Sequence, residues 1–190
     1  MKTYYDLREK SYHDILRIVP NEPCDKMYDF MTRTTQKMLP KNISFFIQQG
    51  KQKADLIFQY PDTCCKFFSQ NLIDVLSKFM DMSDKSYQIN IEGIDEKYYM
   101  IYNLKGYVLF NRNEHFFNQD TRFIKSEPAL FLNEEESTPP LFTFHDSLSL
   151  IVCEEIKQEI EKQKLKNIKF DRVFSYSKPE YEAWKKFWGK

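Results

Sequence analysis

Histidine and cysteine side chains supply many nucleophiles, general bases and metal ligands, and this chain has only three histidines and four cysteines. His145 and Asp146 precede Cys153 by a few residues, so a cysteine nucleophile with a histidine base is one hypothesis for a small enzyme. That chemistry needs proximity in space, which spacing in sequence does not establish. The interpretation that we favour is that Cys153 packs as a small apolar side chain at a helix start.

The remaining histidines and cysteines predict neither a metal site nor a disulfide. The histidines, at positions 13, 115 and 145, have no second histidine or cysteine at metal-ligand spacing. The cysteines, at positions 24, 64, 65 and 153, form no C-x-x-C pair, and two adjacent cysteines cannot both reach one partner. Because nucleotide-binding loops and hydrolase or metalloprotease motifs are also missing, we expect no cofactor, no metal and no catalytic residues.

Length and composition indicate a packed globular protein. The chain has 190 residues, 42% of them apolar, with 17 Phe, 12 Tyr and only 4 Gly. Lys plus Arg and Asp plus Glu both total 28, so no net charge attracts nucleic acid or an anionic membrane. No secretory signal or membrane-spanning run is visible, and we expect a cytoplasmic protein that binds neither membrane nor nucleic acid.

Two helices follow from the spacing of apolar residues. Ser69 is placed to cap a helix whose apolar side chains recur three and four residues apart, at positions 72, 73, 75, 76 and 79. The segment 154–164 carries Ile156 and Ile160 on an otherwise charged sequence, which is typical of a surface helix with a narrow apolar face. The sequence therefore predicts helices from Gln70 to Phe79 and from Glu154 to Lys164.

The strands predict an α+β fold. Tyr87 to Phe110 contains three β-rich segments separated by turns at 95–96 and 105–106, which suggests an antiparallel meander. We expect this sheet at the centre, with both helices packed on it. The segment 133–140 combines an acidic run with two prolines, so the chain is either a single domain, 1–190, or two lobes with a boundary near 133–140.

The sequence contains a weak internal repeat. Placing residues 67–72 over 151–156 aligns two β-α-β units, with Ser69 over Cys153 and Leu76 over Ile160. Few letters are fixed, so the pattern leaves open whether it arose by duplication or by chance. If both units paired within one sheet, the fold would instead be a parallel α/β sheet.

The order of these features resembles a known bacterial family. It includes two tyrosines near the start, Asp29-Phe30, the two strand-(Ser/Cys)-x-x-(Leu/Ile)-helix units, the central Tyr98–Asn103, Leu141-Phe142 and the final Ile168–Phe170. The family, formerly catalogued as a domain of unknown function, is described as an immunity-protein domain of polymorphic toxin systems. The resemblance implies a small cytoplasmic protein that binds and neutralises a cognate protein toxin, with no catalytic residues to carry over.

This chain departs from the family pattern in two places. After the central strand the family has an Asp and a Ser a few residues apart, whereas this chain has Asn111 to Phe117. Before the last strand the family has a glycine, and Asn167 stands there instead. Asparagine tolerates left-handed backbone conformations better than most residues, so only the first departure affects a shared site.

Two surfaces are candidates for binding a protein partner. One is an aromatic set on the last predicted helix, Tyr181, Trp184 and Trp188, whose spacing places them on one face. The other is the acidic run Glu134, Glu135 and Glu136, which could meet a basic toxin surface. For each surface the simpler alternative is structural: the aromatic set docks on the core of this protein, or the acidic run is a solvated loop.

Overall fold

The computed structural model describes residues 3–10, 13–21, 44–59, 66–104, 106–107, 109–110, 129–131, 139–144 and 149–176. In this part of the chain, the helices are α1 (Gln70–Ser77) and α2 (Glu154–Lys162). The strands are β1 (Tyr4–Glu9), β2 (Arg17–Pro20), β3 (Ser44–Gln49), β4 (Leu56–Gln59), β5 (Lys66–Ser69), β6 (Ser86–Ile91), β7 (Tyr98–Ile101), β8 (Gly106–Tyr107), β9 (Leu109–Phe110), β10 (Ala129–Phe131), β11 (Leu141–Phe144), β12 (Leu150–Cys153) and β13 (Ile168–Tyr176).

The first half of the chain forms a closed barrel, called barrel 1, with the strand order β2-β3-β6-β7-β5-β4. Helix α1 connects β5 to β6, and β7 lies between these two strands, antiparallel to both. Aromatic side chains fill the core: the rings of Phe45 and Phe67 meet edge to face with centroids 4.9 Å apart.

The second sheet has seven strands. Its strand order is β8-β11-β12-β1-β13-β10-β9, so β8 and β9 are its two edges. Strand β8 ends at Tyr107 and β9 begins at Leu109, and two peptide units span at most ~7.6 Å. The facing ends of these two edges are therefore close together, although the described pairings do not join β8 to β9. We call this sheet barrel 2 because its pairings repeat those of barrel 1, and it contains the N-terminal strand β1 between β12 and β13.

The two barrels repeat one pattern of strand pairing. In barrel 1, Ser69 at the end of β5 lies opposite Tyr98 on β7. In barrel 2, Cys153 at the end of β12 lies opposite Tyr4 on β1. The backbone N–H of Ser69 donates to the Asp55 carbonyl at 2.9 Å, and that of Cys153 donates to the Pro140 carbonyl at 2.9 Å. The repeat seen in the sequence is therefore a structural repeat, and β1 is the counterpart of β7.

The sequence-based predictions of local elements are confirmed, whereas the prediction of their assembly is confirmed only in part. Both helices form, each ending two residues earlier than predicted, and β6 and β7 form an antiparallel hairpin. The chain is a mixed α and β protein as expected, but its strands form a closed six-stranded barrel and a seven-stranded sheet, and not one central sheet.

The prediction that a third strand completes the meander is wrong. Gly106–Tyr107 pairs with β11 in barrel 2 and not with β7. The reason is that β5 and β6 occupy both edges of β7, so no edge remains for a following strand. A parallel α/β sheet is also absent from the described pairings, because β7 separates the parallel strands β5 and β6. Of the predicted boundary, only Pro139 and Pro140 lie within the described residues.

The barrels meet through their helices and through polar contacts. Helix α1 packs against α2, and their buried faces contain Leu72, Ile73, Val75, Leu76, Ile156 and Ile160. Lys78 Nζ lies 2.5 Å from Glu159 Oε1, which joins the end of one helix to the other. The helices of the described chain are neither long nor apolar enough to cross a membrane.

Candidate functional site

A cavity of about 360 Å³ lies at the N-terminal end of α1, beside the turn between α2 and β13. Barrel 1 contributes residues 53–55 before β4, residues 69–71 at the start of α1 and residues 96–98 at the start of β7. Barrel 2 contributes Lys166. The cavity therefore lies where the two barrels meet.

Ser69 and Asp55 form the polar floor of the cavity. Ser69 is the N-cap of α1, and its Oγ accepts a hydrogen bond from the Leu72 N–H at 3.3 Å. The same hydroxyl donates to Asp55 Oδ1 at 2.5 Å. Asp55 Oδ2 accepts from the Lys166 N–H at 2.6 Å, so both carboxylate oxygens of this buried residue have donors. The two side chains are thus held by the helix start and by the neighbouring barrel.

Tyr98 closes the floor from β7. Its hydroxyl donates to the Ala54 carbonyl at 2.9 Å, and only 2% of the residue is exposed. Burial, and then the negative charges of Glu96 and Asp55, raise the pKa of Tyr98 to about 12. The phenol therefore stays protonated at neutral pH and acts as a hydrogen-bond donor.

The rim of the cavity is charged. Lys53 Nζ lies 2.6 Å from Glu96 Oε2, and both side chains are about half exposed. This ion pair lowers the pKa of Glu96. Lys97 and Lys166 are exposed and also line the cavity, so the rim has more positive than negative groups. Exposed pairs of this kind contribute little stability, because water screens them.

The cavity can hold a polar group but is not arranged as a nucleophilic centre. A serine nucleophile needs a base free to accept its proton, and the base is normally a histidine. The described lining contains no histidine, and Asp55 is the only carboxylate in contact with Ser69 there. Because Asp55 is also bonded to the backbone of Lys166, we interpret Asp55 as a structural residue that joins Ser69 in barrel 1 to Lys166 in barrel 2.

Cys153 occupies in barrel 2 the position of Ser69 in barrel 1. It is the N-cap of α2, makes no side-chain cap hydrogen bond and is only 5% exposed. Burial, followed by a hydrogen bond with Glu155, raises the pKa of its thiol. It is a free cysteine, as expected, and its side chain is buried at a helix start.

The other predicted site residues lie outside the described residues. These are His145 and Asp146 of the hypothetical catalytic pair, and the two candidate binding surfaces, Tyr181, Trp184 and Trp188 and Glu134, Glu135 and Glu136. Their roles stay predictions. Within the described part of the chain, no group of three or more His, Cys, Asp or Glu side chains could hold a metal ion.

A second polar cluster lies on β1 and was not predicted from the sequence. Asp6 is 2% exposed, and its Oδ2 accepts from Arg8 Nε at 2.7 Å and from Ser149 Oγ at 3.5 Å. Its Oδ1 is buried without a hydrogen-bond partner. Burial raises the pKa of Asp6, although Arg8 and Lys66 act in the opposite direction. The burial of Asp6 could have been predicted from the sequence only by aligning β1 with β7.

The described surface has one feature that favours protein binding. Phe46 and Ile47 on β3 are 41% and 39% exposed, and they are the large apolar side chains that stand out among the described residues. Most large apolar side chains of the described strands are buried. As successive residues of a strand they point to opposite faces of β3, so they do not form one patch. Each is a candidate for contact with a partner because large apolar side chains exposed to water can mark interaction sites.

Comparison with known proteins adds no assignment. No family model matches the chain, and no curated protein matches it significantly.

Proposed function

We propose that this protein is an immunity protein, which binds a cognate bacterial toxin domain and neutralises it through protein–protein contact. The resemblance based on Tyr98–Asn103 and the two strand-cap-helix units supplies the kind of partner. The observation that carries a binding function is the exposure of two large apolar side chains on β3, those of Phe46 and Ile47. Pairing with β2 fixes the backbone at these positions, so little backbone conformational entropy is lost when a partner covers them.

Cys153 supports binding over the alternative, a small cytoplasmic enzyme that uses His145, Asp146 and Cys153. A cysteine nucleophile reacts as the thiolate and is usually accessible, with a lowered pKa. Cys153 is buried, and its pKa is raised. Its position as the N-cap of α2, matched by Ser69 in barrel 1, gives it a structural role.

Co-expression tests the proposal. The candidate toxin is sought as a large open reading frame next to the gene and is expressed in bacteria with and without this chain, and growth and complex formation are measured. We expect the toxin domain to arrest growth, the chain to restore it, and the two proteins to purify together. Continued growth arrest with no complex between the purified proteins would contradict the proposal.

Paired surface variants locate the contact. Phe46→Ala with Ile47→Ala should weaken the complex by about 2 kcal/mol or more if this pair is a binding anchor. Gln48→Ala with Gln49→Ala is the matched control, because both residues are exposed on the same strand. Trp184→Ala and a triple alanine variant at 134–136 test the two surfaces predicted from the sequence in the same titration.

A further inference from the structure

The cavity at the start of α1 has an excess of positive charge on its rim. Three exposed lysines line it from three segments: Lys53 before β4, Lys97 before β7 and Lys166 before β13. Glu96 pairs with Lys53 at 2.6 Å, whereas the ammonium groups of Lys97 and Lys166 have no acidic partner within ion-pair distance among the described residues. One of these two lysines belongs to each barrel, and both can attract an anionic group.

The aspartate in the floor of the cavity does not use these ammonium groups. The carboxylate oxygens of Asp55 are occupied by the Ser69 hydroxyl at 2.5 Å and by the backbone N–H of Lys166 at 2.6 Å. Both donors are uncharged, so the side chain of Lys166 stays exposed on the rim. The charged groups of the lining are therefore Lys53, Lys97 and Lys166 against Asp55 and Glu96, which favours an anionic occupant.

Barrel 2 supplies its own carboxylate at the equivalent position. Glu154, the first residue of α2, forms a hydrogen bond with Tyr5 and lies 3.3 Å from Lys157 Nζ. The counterpart in barrel 1 is neutral: Gln70 is the first residue of α1, and its amide oxygen accepts from the Tyr99 hydroxyl. The first turn of α1 contains no acidic residue. Barrel 1 therefore has lysines on the rim but no carboxylate from its own helix to meet them.

We infer that the cavity receives an aspartate or glutamate side chain from an acidic segment of the partner protein, held between Lys97 and Lys166. The inference rests on the proposed function for the existence of that partner, and charge complementarity indicates its chemistry. The cavity volume, about 360 Å³, exceeds that of either acidic side chain. A phosphate group fits less well, because the described lining has neither an arginine nor a glycine-rich loop.

A peptide titration of the purified chain tests the inference without the partner. The probe is acetyl-triglutamate amide, its uncharged control is acetyl-triglutamine amide, and backbone amides are followed by NMR at constant ionic strength. We expect the acidic peptide to shift the amides of residues 69–71, 97 and 166, with a Kd of about a few millimolar or lower. The triglutamine peptide should shift none of them. No shift by the acidic peptide, or equal shifts by both peptides, would overturn the inference.

Inorganic phosphate separates a carboxylate site from a general anion site. It is titrated at the same ionic strength as the acidic peptide, and we expect it to bind at least about threefold more weakly. Tighter binding of phosphate, with shifts of the same amides, would overturn the assignment of the cavity to an acidic protein segment.

Paired lysine variants test the two residues that hold the carboxylate. Lys97→Gln with Lys166→Gln removes both charges and keeps the backbone N–H that bonds to Asp55. Lys162→Gln with Lys169→Gln is the matched control, because it removes the same charge from exposed positions outside the cavity lining. The first pair should weaken binding of the acidic peptide about fivefold or more, and the control less than about twofold. Equal weakening by both pairs would show that only net charge matters and would contradict the inference.

The same variants are then titrated with the toxin domain. Lys97→Gln with Lys166→Gln should weaken the complex about tenfold and reduce its dependence on salt, because rim charges act on the rate of association. If this pair leaves the complex unchanged while Phe46→Ala with Ile47→Ala weakens it, the inference is wrong and the proposed function stands. Failure of the unchanged chain to form any complex would contradict the proposed function, and the peptide titration then decides by itself whether the cavity accepts a carboxylate.

Discussion

Asp6 and Met100 occupy equivalent positions of the repeated fold, but one is a charged side chain and the other is apolar. Each lies two residues after a buried tyrosine on the equivalent strand of its barrel. Asp6 is paired with Asp171, and Met100 is paired with Tyr87. Met100 is fully buried without cost to a polar group, whereas Asp6 is desolvated. The charges that face Asp6 are Arg8 on the same strand, Asp171 on β13 and Lys66 on β5. These partners offset only part of the loss of hydration.

Asp6→Met should stabilise the protein at neutral pH by about 1 to 4 kcal/mol, because apolar groups often replace buried ion pairs with a gain. The pKa of Asp6 is raised from 3.8 on folding, so its unfavourable contribution appears as pH rises above that value through the raised pKa. The gain should therefore shrink as pH falls through the raised pKa towards 3.8. Urea unfolding at several pH values measures it, with Asp171→Asn as the control. A loss of stability at pH 7 would show that the carboxylate is favourable where it lies.

His145→Ala with Cys153→Ala tests the enzyme alternative at the level of single residues. An inhibitor needs a complementary surface and not a nucleophile, so protection against the toxin should persist while the variant stays folded. An enzyme that used this pair would lose activity by orders of magnitude. Growth rescue and circular dichroism are measured together. A folded double variant that no longer protects cells would contradict a purely structural role for Cys153.

The secondary elements were predictable where their signal is local. Ser69 followed by Leu72 and Leu76 carries a cap and an apolar face within eight residues, and this helix forms as predicted. The partner of Gly106–Tyr107 was not predictable, because parallel pairing with β11 joins residues far apart in sequence. Asp55 was missed for the same reason: its contacts to Ser69 and Lys166 exist only after both barrels fold. The binding residues predicted from aromatic and acidic runs remain untested.

Leu76→Ala should destabilise the protein by about 2 to 5 kcal/mol, since it removes buried methyl groups from the face of α1 that packs on barrel 1 and α2. Asp74→Ala is the matched control, because Asp74 is exposed on the same helix and accepts a hydrogen bond from the exposed side chain of Gln70. The urea midpoint reports both changes. An unchanged midpoint for Leu76→Ala would mean that this face of the helix is not buried.

Barrel 1 and barrel 2 share one pattern of pairing, but the chain supplies their strands in different orders. Barrel 1 uses β2 to β7 in sequence, whereas barrel 2 uses β8 to β13 and takes its remaining strand from the N-terminus. The contacts of Asp55 with Lys166, of Lys78 with Glu159 and of Glu9 with Lys66 then join the two barrels. Because β1 lies in barrel 2 and is followed by barrel 1, the chain connects β1 to the other strands of barrel 2 through barrel 1.

Removal of residues 1–10 should therefore destabilise barrel 2 and leave barrel 1 folded. Barrel 1 keeps all six strands, but barrel 2 loses the strand between β12 and β13, whose backbone N–H and carbonyl groups would then be unpaired. Hydrogen exchange should show amides of β5 to β7 still protected and those of β11 to β13 exchanging at least about a hundredfold faster. A synthetic peptide of residues 1–10 should restore protection in barrel 2, and the same peptide with Leu7→Asp, which places a charge at a fully buried position, should not. Equal loss of protection in both barrels would show that barrel 1 has no independent stability. Full protection of β11 to β13 without β1 would contradict the assignment of β1 as the strand that pairs with both β12 and β13.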